Sequence, residues 1–193
     1  VTVDIRRRAG IKVTCVGVNK REIVGSHGIK ITADIKTGEF APVDLEAVVL
    51  PGGMPGTLNL EANKTVCHAA KGAYQSRKLV AAICAAPSIL GHKNLLNGKN
   101  ATCFPGFEKD LLGATVLNQP VLRDGNIITS YGAGAAFEFG FEILSAIKGK
   151  VPFVNSFDGF RTSHELDKIE VIDLEKVKKL LDYDAIEDFR KRA

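Results

Sequence analysis

Apolar and polar positions alternate between two periods along this chain. Residues 11–18 (IKVTCVGV) are rich in β-branched side chains and lie between Gly10 and Asn19, which predicts a strand. Residues 29–35 alternate with period two and predict a second strand. Residues 45–50 (LEAVVL) form a short apolar run that stops at Pro51-Gly52-Gly53. Residues 63–76 carry a helical pattern. Residues 79–83 (LVAAI) are apolar throughout, as in a parallel strand buried on both faces. A helix is expected over 85–90, with short strands at 101–103, 121–122 and 127–129. An amphipathic helix is expected over 137–147, ending at Gly149. Strands alternating with helices imply an α/β domain with an open, mainly parallel sheet and helices on both faces. After Lys150 the pattern changes, with residues 151–163 irregular, 169–174 strand-like and 175–191 charged and helical. We expect one domain over 1–150 and a divergent extension, 151–193, packed on it.

In open sheets of this kind, ligands bind beyond the carboxyl ends of the strands. Three turns of unusual composition fall there: Gly52-Gly53, the turn at Cys84, and the loop Gly132-Ala133-Gly134. Cys84 is the strongest candidate. A nucleophile on a tight strand-to-helix turn needs small neighbours, and Ala81, Ala82, Ala85 and Ala86 supply them. Pro87 suits the first turn of the following helix, where its missing N–H costs nothing. The N-terminus of that helix favours a thiolate. The competing reading is an inert cysteine in a core strand. Gly53 and Ala85 can together offer backbone N–H groups to an oxyanion, with Gly52 and Gly132 to Gly134 walling the pocket. Each glycine turn is also compatible with an ordinary loop.

Charge and composition narrow the function classes. Among 193 residues, 45% are hydrophobic and 25% charged, ordinary values for a globular chain. The net charge is +4, but basic residues are scattered apart from Arg6 to Arg8 and Arg190 to Arg192, which disfavours a nucleic-acid surface. No apolar run approaches the roughly 18 residues of a membrane helix, and no signal-peptide pattern is visible. Cys15, Cys67, Cys84 and Cys103 show neither CxxC pairing nor zinc-site spacing, so no metal is expected. A cytoplasmic chain with reduced thiols is the simplest account.

Together these segments resemble the ThiJ/PfpI family, in the branch of the parkinsonism-associated protein deglycase and its bacterial relatives. The resemblance is carried by VDIRRRAGIKV (3–13), SHGIKITAD (26–34), VVLPGGMPGTLNL (48–60), LVAAICAAPSIL (79–90) and the run from Asp124 through IITSYGAGAAFEF to Phe139. It implies a flavodoxin-like fold of the class I glutamine-amidotransferase type. It also implies Cys84 as nucleophile and redox-sensitive thiol, with Gly53 and Ala85 as oxyanion donors. The implied activity is of glyoxalase or deglycase type, on reactive dicarbonyls such as methylglyoxal or their adducts on proteins. No cofactor and a homodimer are implied. The alternative is a non-enzymatic oxidation sensor or chaperone using the same cysteine.

Two departures from the family pattern matter. The family's first strand, and a glutamate that hydrogen-bonds the cysteine, are expected to be missing here: either the sequence is an N-terminally shortened form, or residues 169–174 with Glu175 fill the gap. The protease-like branch carries histidine directly after the nucleophile, where this chain has Ala85, so a peptidase is disfavoured. A glutamine-hydrolysing role lacks the Cys-His-acid set. His27 is expected to be structural, His68 and His92 to be surface or capping residues, and His164 to lie in the divergent tail. Cys15 is expected in the core, Cys67 on a helix, and Cys103 at a strand end where it can approach the pocket. Asp4 matches a family aspartate, either a surrogate acid or a solvated helix carboxylate.

Overall fold

The computed structural model describes residues 1–25 and 27–149. Helix α1 (Thr2–Arg8) precedes four short strands, β1 (Val16–Gly17), β2 (Glu22–Val24), β3 (Lys30–Thr32) and β4 (Ile35–Lys36). Then come β5 (Ala47–Leu50), α2 (Gly56–Ala62), α3 (Lys64–Gln75), β6 (Leu79–Ile83) and α4 (Pro87–His92). Strands β7 (Asn100–Ala101), β8 (Thr115–Val116), β9 (Val121–Asp124) and β10 (Ile127–Ser130) lead to α5 (Ala136–Lys148).

The main sheet runs in the order β5-β6-β10-β9. β5, β6 and β10 are parallel, with Val48 opposite Val80 and Ala81 opposite Ile128, while β9 returns antiparallel. Side chains of β6 alternate between two cores, so the strand is buried on both faces. Val80 and Ala82 point into the cluster with Leu50, Ala70, Ile89 and Leu90. Leu79 and Ala81 point into the other, with Ile128, Phe139 and Ile143 of β10 and α5. That two-sided burial is why residues 79–83 are apolar throughout. The architecture is an open, mainly parallel α/β sheet with helices on both faces.

The first third of the chain departs from expectation. Within the strand expected over 11–18, only Val16 and Gly17 pair, in parallel with Ile35 and Lys36. The strand expected over 29–35 is split. β3 forms a hairpin with β2, whereas β4 turns away to β1. At the break, the Asp34 carboxylate accepts the Cys15 N–H at 2.7 Å and an Arg7 guanidinium N–H at 2.9 Å, fixing the bend. Among the described residues β5 pairs with β6 only. Helix α2 occupies a stretch to which the sequence pattern assigns no element. It ends at Asn63, whose side chain accepts the Val66 N–H at 3.2 Å and caps α3. The helix expected from residue 85 begins at Pro87. The reading of 151–193, with His164, residues 169–174 and Glu175, lies outside the described residues.

Candidate functional site

Cys84 follows the last residue of β6 and holds φ +65°, a left-handed conformation that side chains beyond glycine rarely adopt. Neighbouring main chain pins it there. Its N–H donates to Ser130 O at the end of β10 (2.8 Å), and its carbonyl accepts the Phe104 N–H (2.9 Å). Ala86 N–H returns to Ile83 O at 3.2 Å, and the Ser88 hydroxyl donates to Ala85 O at 2.7 Å. The chain thus turns from strand to helix within Cys84-Ala85-Ala86, and Pro87 opens α4. Ala85 and Ala86 are fully packed, at 1% and 0% exposure, so the small residues at this turn are a packing requirement. Cys84 itself is half-buried.

The Gly52 and Gly53 turn closes on the elbow. A Cβ on Gly52 would lie 2.5 Å from the Cys84 Cβ and 3.2 Å from the Ala85 nitrogen, so only glycine admits this approach. Gly53 has φ +90°. Among the described residues, neither the Gly53 nor the Ala85 N–H donates to a backbone carbonyl. The third turn follows β10, held by the Ser130 hydroxyl and the Tyr131 N–H on Pro120 O, at 2.8 and 3.2 Å. Gly132 is buried, whereas Ala133 and Gly134 are exposed in a single 3-10 turn. The ring of Phe104 packs on Gly132, with Cδ2 3.4 Å from the place a Cβ would occupy.

These observations settle the fold family. Residues 1–146 match the DJ-1/PfpI family. The chain belongs to that family. Protein dj-1beta of Drosophila melanogaster is 36% identical over 153 residues, covering 78% of this chain and 82% of the fly protein. Among solved structures, a DJ-1 superfamily protein from Salmonella typhimurium superposes with a TM-score of 0.73 at 33% identity, covering 77% of this chain and 82% of that one. Oxidized Toxoplasma gondii DJ-1 gives a TM-score of 0.74 at 27% identity, with the same coverage.

The other candidates separate clearly. Cys103 is buried next to Phe104. Burial, with the carboxylates of Glu108 and Asp110, pushes its thiol up to about 12. Burial also raises Cys67, whose Sγ donates to Glu61 O at 3.1 Å, and Cys15, beside Asp34. Asp4 is exposed and pairs with Arg8 one turn along α1 at 2.9 Å, the solvated-carboxylate alternative. His27 and His68 are exposed, His27 between β2 and β3 and His68 on α3. His92 is more than a surface residue, because Glu61 of α2 (2.8 Å) and Asp110 (3.4 Å) hold its two ring nitrogens. Among the described residues, no group of three or more His, Cys, Asp or Glu is placed to hold a metal, and no helix is long and apolar enough to cross a membrane. Sequence reasoning missed Phe104 and Met54, each 44% exposed. Phe104 is joined to Cys84 by one hydrogen bond across twenty residues, for which the sequence carries no signal.

Proposed function

We propose that this chain is a cysteine-dependent stress-response protein acting on reactive dicarbonyls such as methylglyoxal, or on the adducts they leave on proteins. The observation that carries this reading is the strained elbow of Cys84, which the Gly52-Gly53 turn approaches and the end of β10 holds through Ser130. A half-buried sulfur there is open to a small electrophile and backed by main chain free of bulky side chains. The Cys84 thiolate adds to the aldehyde carbon: a C–S bond forms and the carbonyl π pair moves to oxygen. The N–H groups of Gly53 and Ala85 stabilise that oxyanion. Transfer of the aldehyde proton to the neighbouring carbon converts the hemithioacetal to a thioester, and water releases a hydroxy acid and the thiol. All of this runs without an organic cofactor. The reading places the protein in the cytoplasm, as a homodimer.

Consumption of methylglyoxal by the wild type, lost in Cys84→Ala, is the expected result. Turnover that survives in the variant rejects the proposal. A second reading, oxidation sensing by the same sulfur, is favoured by the similarity to a DJ-1 solved in an oxidized form. It expects mild peroxide to add two oxygens at Cys84 without turnover of any carbonyl compound.

A further inference from the structure

We infer that Met54 and Phe104 form an apolar clamp beside Cys84 that selects carbonyl compounds bearing an aryl group over those bearing a methyl. The inference rests on Cys84 being the nucleophile. Large apolar side chains at 44% exposure leave substantial hydrocarbon in water, and both belong to segments touching the elbow. Phe104 donates its N–H to the Cys84 carbonyl at 2.9 Å. One edge of its ring is braced on Gly132 while the rest stays open. Met54 follows Gly53 directly, and a Cβ on the preceding Gly52 would lie 2.5 Å from the Cys84 Cβ. An aromatic residue and a thioether thus stand on the two segments that meet the main chain of the elbow.

A flat ring held against Phe104 gains offset or edge-to-face contact in addition to apolar burial. A flexible thioether adapts to a ring edge. Neither side chain offers a hydrogen bond or charge to a sugar-like or phosphorylated substrate. The chemistry that fits is an aryl 2-oxoaldehyde, of which phenylglyoxal is the simplest probe. On attack, sulfur bonds to the aldehyde carbon, the π pair goes to oxygen, and water supplies its proton, leaving the aryl ketone between Phe104 and Met54.

The test compares kcat/KM for phenylglyoxal and methylglyoxal in wild type, Phe104→Leu, Phe104→Ala and Met54→Ala. The wild type is expected to favour phenylglyoxal about tenfold, chiefly through KM. The preference should fall in Phe104→Leu and disappear in Phe104→Ala, with a smaller drop in Met54→Ala. A parallel measurement requires no turnover: intact-mass rates of Cys84 alkylation by 2-bromoacetophenone and by bromoacetone. In each, sulfur displaces bromide from the CH2 carbon. The aryl reagent should have the greater rate advantage over its reaction with free cysteine, and Phe104→Ala should remove that advantage. If methylglyoxal is not consumed, the enzymatic reading fails while the alkylation rates still decide the clamp. Equal selectivity in wild type and Phe104→Ala overturns it. Met54→Ala, changed at an exposed side chain, decides the matter if Phe104→Ala does not fold.

Discussion

A left-handed conformation costs a residue with a Cβ roughly 1–2 kcal/mol, and Cys84 bears that cost in order to present its sulfur at the turn. Removing the sulfur alone and removing the strain with it are separable. Cys84→Gly is expected to exceed Cys84→Ala in stability by about 0.5–1 kcal/mol, after glycine's greater unfolded-chain freedom is subtracted. Urea midpoints of the two variants check this; equal midpoints would mean the elbow is not strained. Gly52→Ala pushes a methyl into the Cys84 Cβ and the Ala85 nitrogen. It should cost about 1–3 kcal/mol and slow iodoacetamide labelling of Cys84. His92 adds a pH dependence. Burial alone would lower its pKa, but the hydrogen bonds and charges of Glu61 and Asp110 outweigh it and raise the pKa above the ordinary histidine value. The folded state therefore holds the proton more tightly than the unfolded one. This stabilisation is fully present below the ordinary pKa of about 6.5 and is lost as pH rises through the folded value. With the ring about a third exposed, the effect stays below about 1 kcal/mol. Urea midpoints of the wild type should fall across neutral pH relative to His92→Gln, whose profile is flatter in that window.

At the scale of elements, α1 docks on α5 through Ile5, which is 3% exposed and points at Gly140. Ile5→Ala should cost about 2–5 kcal/mol, read as a shift in urea midpoint. A cost below 1 kcal/mol would show that α1 is only loosely seated. This contact was invisible in the sequence, which supplies the helical residues of α1 but not the small residue opposite them. The elements that could be read, β6, β10 and α5, share a property: burial sets their pattern over a whole run, as in LVAAI. The elements misread, the divided strand at 29–35 and helix α2, are set by particular contacts. Asp34 redirects the chain by binding Cys15 and Arg7, and Asn63 closes one helix by capping the next. The same division holds at the site. Cys84, Gly52, Gly53 and Gly132 were legible because a sharp turn demands those residue types. Phe104 and Met54 were not, since an exposed aromatic or methionine carries no pattern until the fold joins its segment to the elbow.

For the molecule as a whole, the four thiols divide by environment. Burial is the largest cause raising Cys15, Cys67 and Cys103, and Cys103 reaches about 12. Their raised values make these three poorer targets for peroxide, which attacks thiolates. The fourth, Cys84, stands half-buried on the elbow with no carboxylate hydrogen-bonded to it among the described residues. Limited hydrogen peroxide should therefore oxidise one position. The sulfur takes one oxygen to give a sulfenate and water, and a second equivalent gives the sulfinate. Peptide mapping should place both oxygens on the segment containing Cys84, and the Cys84→Ala variant should take up almost none at the same dose. Raising the pH should recruit Cys15 and Cys67 before Cys103, because the Cys103 thiol is buried and held up by Glu108 and Asp110. Uptake in Cys84→Ala equal to that of the wild type would show that burial does not partition these thiols, and that the elbow confers no privileged reactivity on its sulfur.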